Sequence, residues 1–112
     1  MNLENTKAQM RKGVLELCIL SIIAEEEIYS TDIIKRLELS KLDVVEGTLY
    51  PLLTRLKNAG LLTYRWEEST QGPPRKYFRI TEEGELFLQE LIATWNGLLN
   101  AVNQSTKNIT SK

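Results

Sequence analysis

Residues 47–62, GTLYPLLTRLKNAGLL, constrain the fold more than any other part of this chain, because they hold an amphipathic helix, its stop signal and a switch to strand. Leu49, Leu52, Leu53 and Leu56 share one side of such a helix, and Tyr50, Thr54 and Asn58 recur every fourth residue on another. The first side suits a core and the second suits water. Pro51 lacks an N–H and clashes with the carbonyl four residues back, so it is cheapest early in a helix. This predicts a start near Glu46 to Thr48, not as early as Asp43. Gly60 stands where a helix C-terminus favours a left-handed residue.

The segments LLTYRWE and KYFRIT on either side of the turn-rich EESTQGPPR both alternate. Leu62, Tyr64 and Trp66 fall on one face, and in the return strand Tyr77 with Arg79 lie opposite Phe78 with Ile80. A helix followed by a hairpin is the second half of a winged helix-turn-helix, in which the helix enters a DNA groove and the hairpin flanks it. The expected fold is therefore mainly α with a β-hairpin wing, a winged helix-turn-helix joined to a long C-terminal dimerisation helix.

The order of GTLYPLLTRLKNAGLL, then GPPRKYFRIT, then EEGE leading into a long amphipathic helix resembles the PadR family of bacterial transcriptional regulators, over residues 15–99. The resemblance implies a homodimeric repressor, and some members of the family are released from DNA by phenolic or other aromatic ligands. It maps the family's LYP signature onto Leu49, Tyr50 and Pro51, which strengthens the expectation that Tyr50 serves DNA binding.

Length and composition narrow the alternatives. A chain of 112 residues is one domain with a modest core, and a second copy is an economical way to bury more. The longest apolar run, residues 14–24, is interrupted by Glu16 and Ser21 and is too short to span a bilayer. With no secretory signal pattern either, the expected location is cytoplasmic, with no membrane partner. The single Cys18 lies in that apolar run and reads as a small core residue. There is no histidine, no intrachain disulfide, and no nucleophile–base pair, metal-ligand cluster or phosphate-binding glycine loop. We therefore expect no enzyme, no cofactor and no metal. Glu25, Glu26 and Glu27 are consecutive, point in different directions and read as a solvated helix end.

The net charge of −1 conceals an uneven distribution. Residues 35–79 carry nine basic and five acidic side chains, a balance of +4, while the flanks carry −3 and −2. The positive excess sits on the helix and hairpin, where a phosphate-facing surface needs it. The acidic flanks and low net charge favour a rival reading, a winged-helix protein–protein interaction module without specific DNA binding. DNA titration separates the two.

The remaining elements support the same plan. A first helix is expected over residues 7–26, apolar on nearly every side between residues 14 and 24 and so packed by more than one neighbour. YSTDIIKRLE reads as a second helix capped by Ser30 or Thr31, whose hydroxyls and free N–H groups can take a DNA phosphate. On the third helix, Thr48, Tyr50, Pro51, Thr54, Arg55 and Asn58 are the residues a groove would meet, with Arg55 and Lys57 as phosphate contacts. At the wing, Gly72 permits an unusual backbone angle, and Arg75 and Lys76 place two cations beside a stiff Pro73–Pro74 tip.

Thr81 is a plausible cap for the last helix. Leu88, Leu91, Trp95, Leu98 and Val102 form a heptad seam widened by Leu86, Phe87, Ile92 and Leu99, too broad for so small a domain to cover; a two-fold mate is the economical cover. Trp95 also offers a stacking surface to a flat aromatic ligand. The division expected is residues 1–81 for the DNA-binding domain, 82–104 for the dimerisation helix, and 105–112 for a disordered polar tail.

Overall fold

The computed structural model describes residues 1–110. The chain runs α1 (Leu3–Glu25), β1 (Ile28–Tyr29), α2 (Ser30–Leu39), α3 (Glu46–Asn58), β2 (Leu62–Glu67), β3 (Arg75–Ile80) and α4 (Glu82–Thr110). This is a winged helix-turn-helix followed by one long helix. The antiparallel sheet has the order β1-β3-β2, with Leu62 opposite Ile80 and Tyr64 opposite Phe78.

Helix α1 begins before the expected residue 7 because the Asn2 side chain accepts hydrogen bonds from the N–H groups of Glu4 and Asn5. Its Leu15, Ile19, Leu20, Ile22 and Ile23 are buried, and it touches α2, β3 and α4. The apolar groups on many sides are thus covered by several neighbours. Cys18 packs against this core, half-buried, and burial pushes its thiol pKa up.

Strand β1 has no counterpart in the sequence reading. Two residues are too few to show alternation, and Ile28 and Tyr29 become a strand only because Phe78 and Tyr77 pair with them. The cap of α2 also differs from expectation. Tyr29 occupies the cap position without a side-chain bond, and Ser30 and Thr31 are already helical.

The two helices of the helix-turn-helix end alike. After α3, Gly60 adopts φ 83°, with its N–H bonded to the Lys57 carbonyl and that of Leu61 to Leu56. After α2, Lys41 adopts φ 66°, with its N–H bonded to the Glu38 carbonyl and that of Leu42 to Leu37. Both are left-handed stops that satisfy helix-end carbonyls. Only the first uses glycine. Helix α3 starts at Glu46, the early edge of the expected range, so that Pro51 stands in its second turn, and it buries Leu49, Leu53 and Leu56.

Thr81 ties α4 to the rest. Its hydroxyl accepts from the Gly84 N–H and donates to the Gly60 carbonyl, while its own N–H bonds to the Leu61 carbonyl. Here α4 runs so close to the start of β2 that a Cβ on Gly84 would lie 2.1 Å from the Leu61 carbonyl oxygen. The first turns of α4 therefore belong to the domain. Leu88 is buried in the domain's own core and Leu91 packs against it, which removes Leu88 from the expected dimer contact.

The polar end of the chain is helical as far as Thr110, where disorder was expected from residue 105. Extending a formed helix is cheap, and no proline interrupts it. The Ser105 and Thr106 hydroxyls bond back to the carbonyls of Ala101 and Val102. Residues 111 and 112 lie outside the described residues.

Candidate nucleic-acid interface

The leucine face of α3 is sealed in the core, so its opposite arc meets solvent. That arc has two sides. Tyr50, Thr54, Lys57 and Asn58 turn toward the wing, where with Tyr64, Lys76 and Phe78 they line a cleft of about 160 Å³. Thr48 and Pro51 turn the other way and border a separate recess near Arg11 and Lys12 of α1.

The cleft is electropositive by subtraction. Arg36, Arg55 and Arg65 are paired with Glu25, Glu16 and Glu27, so acids from α1 and the turn after it neutralise cations on the surrounding elements. Glu25 and Glu27 are therefore ion-pair partners rather than a merely solvated helix end. Arg55, expected at DNA, pairs with Glu16 of α1 at 3.0 Å while its side chain stays 71% exposed. Lys57 and Lys76 form no ion pair among the described residues. Both ammonium groups gather at one ring, Lys57 at 5.7 Å and Lys76 at 4.2 Å from the centre of Tyr64. Two cations against one ring, neither paired with a carboxylate among the described residues, make the cleft attractive to an anion.

Neighbouring residues of a strand face opposite ways, and this separates the two wing cations. Lys76 lies on the cleft face, also 5.0 Å from the ring of Trp66. Arg75 lies on the other face, over the ring of Tyr29 at 5.0 Å. Trp66 is 60% exposed on the cleft side of the wing. The alternation of β2 puts Trp66 in register with Tyr64, yet sequence reasoning did not count it as an interface residue. Gly72 has open space around its missing Cβ and no positive φ, so the wing does not require glycine there.

Ser30 is buried, with its Oγ 3.0 Å from the hydroxyl of Tyr50. It is thus not exposed for the phosphate contact expected of it; its hydroxyl meets the tyrosine of α3. The register between the start of α2 and the first turns of α3 makes this contact, and no periodicity announces it. Thr31 beside it is half-buried.

At the far end, Trp95, Leu98, Leu99 and Val102 of α4 line an apolar groove of about 450 Å³ with Met10, Val14 and Leu17 of α1. Ile92 lies outside the groove and is 36% exposed. Among the described residues no helix is long and apolar enough to cross a membrane, and no acidic or sulfur cluster could hold a metal.

Known proteins share this arrangement. A PadR-like transcription factor from Bacteroides fragilis is 59% identical, with 89% of this chain and 97% of that chain covered at a TM-score of 0.77. A PadR family regulator from Eggerthella lenta is 33% identical, with 91% and 89% covered at a TM-score of 0.84. A PadR-like regulator from Bacillus cereus is 40% identical, with 86% and 94% covered at a TM-score of 0.75. The family model described as "Transcriptional regulator PadR-like family" matches residues 19–90, the whole of the helix-turn-helix, the wing and the first turns of α4. The chain belongs to the PadR-like family of transcriptional regulators, DNA-binding proteins and not enzymes.

Proposed function

We propose that this regulator is a cytoplasmic homodimeric repressor whose two α3 helices enter successive major grooves, about 34 Å apart, while the wings grip flanking backbone. The observation that carries the reading is the α3–wing cleft, with Lys57 and Lys76 free of carboxylates around Tyr64 and with Tyr50, Thr54 and Asn58 along its helical wall. Thr48 and Pro51 meet the outer edge of the groove, Thr31 stands near the backbone at the head of α2, and Arg75 and Gly72 flank the wing.

The partner copy covers the second half of α4. Leu98, Leu99 and Val102 are exposed there beside the groove to α1, and an apolar helix face of this kind needs a mate. A flat aromatic effector fits against Trp95 in the same groove and releases DNA by favouring a dimer with the wrong helix spacing, which requires different affinity for the two states.

Fluorescence anisotropy with the DNA upstream of the protein's own gene and with a shuffled duplex, across several salt concentrations, tests this reading. Tight, salt-sensitive preference for the upstream duplex at two chains per site is expected. Absence of binding to either duplex even at low salt would replace it with the protein-interaction module.

A further inference from the structure

Ser30 is the one buried polar side chain among the described residues, at 2% exposure, and its Oγ meets the Tyr50 hydroxyl at 3.0 Å. Either oxygen has the geometry to donate. Their surroundings decide between them. A hydroxyl hydrogen sealed from water is costly unless an acceptor takes it, and no buried side-chain polar atom among the described residues lacks a partner. Among the described residues, the one side-chain hydrogen bond of Ser30 is that to Tyr50. Tyr50 is 44% exposed, so its own hydrogen can go to water. Both groups are satisfied only when Ser30 donates and the Tyr50 oxygen accepts. The reverse arrangement strands the Ser30 hydrogen inside the domain.

We propose that Ser30 sets the hydrogen-bond polarity of Tyr50 on DNA. Because its oxygen is already engaged by Ser30, Tyr50 acts as a donor and reads an acceptor: a phosphate oxygen, or purine N7, guanine O6 or thymine O4 on a major-groove edge. Amino groups of adenine and cytosine are not its partners. Ser30 is then a positioning residue that acts through Tyr50 without touching DNA. This inference rests on the reading above, in which the α3–wing cleft faces the duplex.

A double-mutant cycle of Ser30→Ala and Tyr50→Phe tests it, with two readouts in the full chain. One is the thermal midpoint without DNA. The other is affinity for the duplex that the wild-type chain enriches from a randomised library. Tyr50→Phe is expected to lower the midpoint and weaken the enriched duplex by about three- to tenfold. Adding Ser30→Ala to Tyr50→Phe should raise the midpoint again, since it deletes the stranded donor, and should cost no further affinity. Independent effects in both readouts overturn the inference.

Duplexes altered one atom at a time identify the acceptor. The Tyr50→Phe penalty should vanish either on a methylphosphonate linkage, assigning a phosphate, or on a base lacking N7, guanine O6 or thymine O4, assigning that base edge. If it vanishes only where an amino group has been removed, Tyr50 accepts and the inference falls. A wild-type chain that enriches no duplex overturns the proposed function and this inference with it. A chain that binds DNA while Ser30 and Tyr50 remain uncoupled overturns this inference alone.

Discussion

Lys76 and Arg75 are adjacent, both cationic, and on opposite faces of β3. Lys76 shares the cleft with Lys57 and Tyr64, whereas Arg75 stacks on Tyr29 behind the sheet. Lys76→Ala should therefore weaken binding to all sequences alike and reduce the slope of log affinity against log salt by about one. Arg75→Ala should change that slope much less. Salt titrations of the two single variants decide the matter, and equal effects would move the backbone contact to the tip of the wing. The charge census of the sequence pointed to this region but could not separate its members. Partners drawn from α1 and the turn after it neutralise Arg36, Arg55 and Arg65, and such partners are invisible until the chain is folded.

Individual elements followed the local chemistry closely wherever that chemistry is short-range. The start of α3 falls within the expected range, its end obeys Gly60, and Thr81 caps α4 as its hydroxyl allows. The stop of α2 is the exception, because Lys41 adopts φ 66° where glycine costs nothing. A left-handed residue with a Cβ carries a penalty of about 1 kcal/mol or more. Lys41→Gly should recover about 1 kcal/mol of stability in urea unfolding, partly offset by the greater entropy of glycine in the unfolded chain. Its DNA affinity should stay unchanged. A lower midpoint would mean that the Lys41 side chain contributes more than its backbone costs. Strand β1 lies beyond local rules altogether, since the β-ladder from Phe78 and Tyr77 creates it.

The whole molecule is elongated, 59 × 31 × 22 Å, because α4 continues well past the domain that anchors its first turns. Leu98 at 55% and Val102 at 49% exposure lie on that extension. If a second copy covers them, Leu98→Glu should shift the protein toward a monomer in sedimentation experiments. Losing the second DNA contact should cost about a hundredfold in affinity for a two-half-site duplex, with little change for a single half-site. An unchanged sedimentation profile would place the dimer contact elsewhere.

By itself the sequence determined the fold class, the family, the third helix and its boundaries, and the wing, because each depends on periodicity, propensity or a short motif. The tertiary structure alone decided which seam leucine turns inward, which cations keep their charge unpaired, and which hydroxyl holds Tyr50. Leu88 joins the core because Gly84 lets α4 lie against the Leu61 carbonyl, and Arg55 pairs with Glu16 because folding brings that carboxylate within reach. Such outcomes depend on distances between residues far apart in the chain, and those distances exist only after packing.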